Sequence, residues 1–153
     1  MRIAIAGDHT AVSLKEQLVA HVRGIGHETV DFGVFAGESV DYPLMAERAA
    51  RAVADGSCDR GLLFCGTGQG MMMSANKVRG IRCAVCIDCY SAQMARRHND
   101  ANMMAFGSRV LGVELAKLLA ETFLQTPFEG GRHTRRVDMI MDLERRMHGE
   151  NLT

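Results

Sequence analysis

Short apolar runs alternate with amphipathic stretches of helical length along the chain, the pattern of successive βα units that build a parallel sheet. Five such units are expected. Strands fall at 2–6, 28–32, 61–65, 83–87 and 103–106, and helices at 11–23, 43–54, 69–77, 90–97 and 112–124,. A charged last helix is expected over about 132–147, set off by the turn residues Phe128-Glu129-Gly130-Gly131,. Asp41-Tyr42-Pro43 marks a helix start, with a capping residue shortly before a proline suited to the first turn. No internal repeat, low-complexity tract or linker interrupts the pattern, so residues 1–153 read as a single domain, which a chain of 153 residues can build around one core,.

In open parallel sheets, ligands gather outside the carboxyl ends of the strands. The positions to inspect are therefore Asp8 and His9, Cys65 through Gly70, Asp88 through Tyr90, and Gly107 through Arg109. Cys65-Gly66-Thr67-Gly68-Gln69-Gly70 follows an apolar strand and opens a helix, so backbone N–H groups can converge there on an anion while the helix start adds partial positive charge. A thiol at the lip of such a loop is a usable base or nucleophile. The alternative is a tight strand-to-helix turn with a buried cysteine behind it. A dinucleotide loop fits less well, because the glycines are spaced G-x-G-x-G and follow the third strand.

Charge and composition narrow the partners. The chain carries 18 basic and 18 acidic side chains, which leaves no net field to attract nucleic acid or a membrane surface. Arg2 and Asp8 flank only a short apolar run at the amino end, which neither a signal peptide nor a membrane span tolerates. Five cysteines, an odd number, fit free thiols in the cytoplasm better than a disulfide framework,. Cys83-Ala84-Val85-Cys86 is a C-x-x-C, but a strand points its two thiols to opposite faces, so core packing is expected for both. Met71-Met72-Met73 and Met103-Met104 read as adaptable core filler.

Three further features could carry chemistry. His98 ends a helix and can act as a general acid near neutral pH, or can simply be a solvated helix end. His9 follows the first strand and can serve a site or brace the next helix. Arg132 and Arg136 stand four apart on one helix face, where two guanidinium forks can hold one phosphate dianion, or form only a basic surface.

Taken together, Gly7-Asp8-His9, Asp41-Tyr42-Pro43, Cys65-Gly66-Thr67-Gly68, Ala75-Asn76-Lys77, Tyr90-Ser91-Ala92, Arg97-His98-Asn99-Asp100, Ala105-Phe106-Gly107-Ser108-Arg109 and Glu129-Gly130-Gly131-Arg132-His133 with Arg136 resemble the ribose-5-phosphate isomerase B family, which also includes galactose-6-phosphate and allose-6-phosphate isomerases. The resemblance implies an α/β fold, a Rossmann-like three-layer α/β/α sandwich on a five-stranded parallel sheet. It implies a homodimer or homotetramer with active sites between subunits, the helix at 132–147 packing at that interface, and no metal or organic cofactor. Cys65 then resembles the base that moves a proton between two carbons through an enediolate, and the amides from Gly66 through Gly68 to Gly70, with Thr67, resemble the hole that holds the enediolate oxygen. His98, aided by Asp8, resembles the acid that opens the sugar ring; Tyr42 and Asn99 resemble substrate contacts; His9, Arg109, Arg132 and Arg136 resemble the phosphate-binding set.

One departure is informative. Some family members lack the cysteine and use a glutamate just inside the next helix; Met71 stands there in this chain, and its thioether cannot accept a proton at neutral pH,. The expected reaction is interconversion of ribose 5-phosphate and ribulose 5-phosphate. The alternatives are another aldose or ketose phosphate (allose 6-phosphate, galactose 6-phosphate or a tetrose phosphate), with loop 34–40 setting sugar length, or a non-catalytic phosphosugar-binding protein.

Overall fold

The computed structural model describes residues 1–35, 39–147 and 149. Its strands are β1 (Arg2–Gly7), β2 (Glu28–Asp31), β3 (Arg60–Cys65), β4 (Cys83–Val85) and β5 (Met103–Gly107). The helices are α1 (Val12–Gly24), α2 (Tyr42–Ala54), α3 (Gln69–Ala75), α4 (Cys89–Arg97), α5 (Val113–Gln125) and α6 (Arg132–Met147). All strand pairs are parallel, in the order β2-β1-β3-β5-β4. Part of the loop expected to set sugar length, residues 36–38, lies outside the described residues.

The middle strands are apolar on both faces because helices cover both. Ile3 and Ile5 of β1 and Leu62 and Phe64 of β3 pack under α1, α4 and α5, while Ala4, Ala6, Leu63 and Cys65 pack under α2 and α3. Helix α1 buries Leu14, Leu18 and Val22 at four-residue spacing, and α2 presents Ala46, Ala49 and Ala50, whose small side chains let it lie close on the sheet,. Phe64 and Phe106 stack across neighbouring strands with ring centroids 5.1 Å apart,.

The order of the last two strands follows from their lengths and surroundings. Every residue of β5 is buried, whereas β4 has three residues, two of them only partly covered. The sheet therefore places β5 inside and leaves β4 as a short edge, which limits the unpaired backbone it exposes. Strand pairing ends at Val85, short of the expected Ile87. Asp41 occupies the cap position of α2 but makes no side-chain capping bond, whereas Asp88 caps α4 by accepting from the Ser91 N–H at 2.7 Å,.

Cys83 and Cys86 pack into the two opposite cores. Burial pushes both thiols up, Cys86 to about 11, so neither is a ready redox or metal-binding thiolate. Helix α6 buries only His133 and Val137, and Met139, Ile140, Leu143 and Met147 along it stay exposed. Among the described residues, no helix is long and apolar enough to cross a membrane.

Candidate active site

Two clusters collect the residues singled out from the sequence. The first sits where the strands end. Cys65, the last residue of β3, is 5% exposed, and its Sγ accepts a hydrogen bond from the Gly68 N–H at 3.1 Å. That donor faces the charge a thiolate would carry. Gly68 can aim its N–H this way because it adopts the left-handed conformation, φ 82°,. A Cβ there would also crowd the β5 backbone, 3.3 Å from the Ala105 carbonyl oxygen.

Neighbouring loops fix this turn from both sides. Ser108 and Arg109 donate their N–H groups to the carbonyls of Cys65 and Gly66 at 2.8 and 3.0 Å. Ser108 Oγ donates to the Thr10 carbonyl at 2.9 Å. Thr10 in turn donates its N–H and its hydroxyl to Asp8 Oδ1, at 2.8 and 2.5 Å, and Asp8 is itself buried. The stem of Arg109 runs beside Gly66, and the Tyr42 ring covers Gly70 so closely that a Cβ there would meet it at 2.7 Å. Thr67 is exposed at the crest of the turn, Met71 is fully buried behind it, and His9 is exposed beside Asp8. Asp8, His9, Tyr42, Cys65, Gly66, Thr67, Gly68, Gly70 and Arg109 thus share one end of the sheet.

His98, Asn99, Arg132 and Arg136 do not. The turn after α4 leads into the start of β5, and the Gly61 N–H, at the start of β3, donates to the Asn102 carbonyl at 3.0 Å. Cys65 pairs with Gly107 at the other end of the same two strands. Four residues of extended chain separate these ends by roughly 13 Å. The second cluster therefore lies at the strand-start end of its own subunit.

That end is firmly built. Asp100 takes the left-handed conformation, φ 46°, and its carboxylate pairs with Arg82 at 3.0 Å and Arg96 at 2.9 Å. Arg82 also donates from Nε to the Asn99 carbonyl at 3.1 Å. Glu129 donates its N–H to the Arg97 carbonyl at 3.0 Å and pairs with the Arg97 guanidinium at 2.8 Å, which brings the start of α6 against the end of α4. The His133 ring then lies flat on that of His98, centroids 4.1 Å apart and planes 4° from parallel. Arg132 and Arg136 line a shallow hollow with Arg135 and Met139.

Arg82, Arg96, Asp100, Glu129 and His133 support this cluster; Asp100, Glu129 and His133 fall inside the motifs quoted above but carry no role there, and no motif marks Arg82 or Arg96. For Arg96 the available signal was its nearness in the chain to His98, and for Arg82 there was none. Among the described residues, His98, Glu129 and His133 form the one group with convergent metal-ligand chemistry, their donor atoms within 4.8 Å of one another. The stacking works against coordination: lone pairs lying in two parallel ring planes do not meet at one ion, and Arg97 already engages Glu129,.

What such a pair of clusters can do is proton chemistry on a phosphorylated substrate, with a thiol, a fixed amide donor, an imidazole and guanidinium groups. Comparison with known proteins agrees. Residues 3–140 match the family described as Ribose/Galactose Isomerase. The chain is 48% identical over 145 residues to a ribose-5-phosphate isomerase B of Escherichia coli, covering 95% of this chain and 97% of that one. It is 43% identical over 141 residues to a D-erythrulose-4-phosphate isomerase of Pectobacterium atrosepticum, covering 92% and 93%. The solved structure of ribose-5-phosphate isomerase B from Clostridium thermocellum superposes with a TM-score of 0.94 at 46% identity, covering 96% of this chain and 99% of that one. With likeness of this extent in both sequence and fold, the chain belongs to the ribose/galactose isomerase family.

Proposed function

We propose that this protein, acting as one domain per chain, interconverts D-ribose 5-phosphate and D-ribulose 5-phosphate. The observation that carries this is the Cys65 sulfur at the end of β3, held 3.1 Å from the Gly68 N–H in a turn where Met71 offers no competing base. The Cys65 thiolate removes the proton from C2 of the open-chain aldose and the electron pair forms the enediolate; the resulting thiol, whose proton exchanges with solvent in part of the turnovers, delivers a proton to C1 while the O2 hydroxyl proton passes to O1, which gives the ketose. The negative oxygen of the enediolate is held by loop amides between Gly66 and Gly70, with the Thr67 hydroxyl beside them. His98 protonates the ring oxygen as the furanose opens, while Asp8, held by Thr10 through Oδ1, takes part at the anomeric hydroxyl. Tyr42 and Asn99 contact the sugar, and His9, Arg109, Arg132 and Arg136 hold its phosphate. Each step moves only protons, which these side chains can carry by themselves.

This assignment calls for two subunits. Cys65 and His98 stand at opposite ends of one sheet, so a site that uses both takes them from different chains, in a homodimer or a tetramer of such pairs. The exposed Met139, Ile140, Leu143 and Met147 of α6, beside Arg132 and Arg136, supply an apolar face for that contact. Five unpaired thiols suit a reducing, cytoplasmic setting,.

A second substrate reading, a tetrose phosphate, is favoured by the relative that acts on D-erythrulose 4-phosphate. Turnover on four-, five- and six-carbon sugar phosphates, with solvent deuterium incorporation followed by NMR, tests both. Highest kcat/KM on ribose 5-phosphate is expected. Absence of both turnover and deuterium incorporation with every sugar would leave a binding protein and overturn the assignment.

A further inference from the structure

His133 has no part in the proton transfers above, yet it is more buried than His98. It sits in the first turn of α6, 4% exposed, with its N–H donating to the Gly130 carbonyl at 3.1 Å. One face of its ring is covered by His98. At its edge, the Arg132 Nε donates to His133 Nε2 at 3.3 Å. A guanidinium N–H can only donate, so Nε2 accepts and the proton of the neutral ring resides on Nδ1. Burial, then the neighbouring His98 and Arg132, hold this histidine below its ordinary value.

Both contacts constrain groups assigned to the reaction. A parallel stack at 4.1 Å lets His98 turn within its own plane but not tilt out of it without losing the contact,. Anchoring Arg132 at Nε restricts the long side chain and leaves its two Nη groups to a phosphate,. The other charged groups around the ring are Glu129, Arg136 and, through Glu129, Arg97.

We propose that His133 is a positioning residue of the isomerase site, setting the plane of His98 with its ring and the aim of Arg132 with its Nε2, so that one buried side chain aligns ring opening with phosphate binding. This rests on His98 being the ring-opening acid and Arg132 a phosphate ligand.

Two substitutions separate the two contacts. His133→Phe keeps a flat ring for the stack and removes the acceptor; His133→Gln keeps an acceptor and removes the ring. Each is measured in the intact assembly by turnover of ribose 5-phosphate, whose furanose must open, and by solvent deuterium incorporation at C1 of ribulose 5-phosphate, which cannot form a furanose because O5 carries the phosphate. Binding of inorganic phosphate is measured by calorimetry. His133→Phe is expected to raise KM and weaken phosphate binding about tenfold with kcat within about threefold. His133→Gln is expected to lower kcat on ribose 5-phosphate about tenfold, while deuterium incorporation and phosphate binding stay within about threefold. Any pattern in which the two variants lose KM and kcat alike on both sugars, or lose nothing, overturns the proposal. Should one variant fail to fold by circular dichroism, the other decides through its own split.

Cys65→Ala and His98→Asn are run alongside. Retained turnover in the first, or equal losses on both sugars in the second, sinks the site assignment itself. If these controls behave as assigned and the His133 variants do not, only the role of His133 falls.

Discussion

Gly107, the last residue of β5, passes directly beneath Thr67: a Cβ on it would come within 2.9 Å of the Thr67 carbonyl carbon and oxygen. Both are backbone atoms of the turn that aims the Gly68 N–H at Cys65. Gly107→Ala is therefore expected to displace that turn by a fraction of an ångström, at about 1–3 kcal/mol of overpacking, and to lower kcat by about a hundredfold. Steady-state kinetics with a thermal melt checks it; unchanged kcat would mean that the turn gives way without cost to the reaction.

Separate placement of Cys65 and His98 predicts complementation between subunits. Cys65→Ala and His98→Asn assemblies are each expected to be inactive or nearly so on ribose 5-phosphate. Unfolded together and refolded as mixed dimers, they regain about a quarter of wild-type activity, since random pairing leaves that share of sites with both side chains intact. No recovery in dimers shown to be mixed would place both residues in one chain's site.

Lys15 is 2% exposed, with its Nζ 2.7 Å from both Asp31 Oδ2 and the Val34 carbonyl. It ties α1 to the segment after β2. Lys15→Met fits the same space but leaves the carboxylate and carbonyl without their donor, and removing one partner of a buried pair costs about 3–5 kcal/mol. The urea midpoint should fall accordingly with an unchanged m value; a shift worth under about 1 kcal/mol would show that water takes over the lysine's role.

His133, held low mainly by burial and next by His98, gives stability a pH dependence of definite sign. The unfolded chain protonates this histidine near its ordinary value of about 6.5, and the folded chain only at lower pH. Its contribution is thus complete above the ordinary value and is lost as pH falls through it toward the folded value. His133→Phe should flatten the decline in denaturation midpoint between about pH 7 and 5. His98→Asn, which removes the second cause, should raise the His133 titration seen by NMR while leaving it below the ordinary value. A His133 titration unmoved by that substitution would mean that burial alone holds it down.

Much of the fold was legible from residue order because its determinants are local. Helix α6 has the bounds expected, and the strand ends bearing Asp8, Cys65 and Arg109 stand where short apolar runs gave way to glycine. The opposite faces of Cys83 and Cys86 also followed from the period of a strand,. Strand order did not follow, because nothing in the local pattern of Cys83–Val85 or Met103–Gly107 says which lies nearer β3; burial on both sides decides it. His133 was passed over for a similar reason. A histidine in the run Arg132-His133-Thr134-Arg135-Arg136 looks like part of a basic surface until the Glu129 to Arg97 pair brings it beneath His98.

Residue order alone determined which chemical groups this protein owns and which strand or helix end carries each, since turn, strand and helix preferences act over a few positions. Only the tertiary structure decided that Cys65 and His98 face away from each other within one chain, that Gly107 must be bare to fit under Thr67, and that His133 is a buried ring rather than a surface one. Those outcomes depend on contacts between segments tens of residues apart, whose distances are set by sheet pairing and packing rather than by neighbours along the chain.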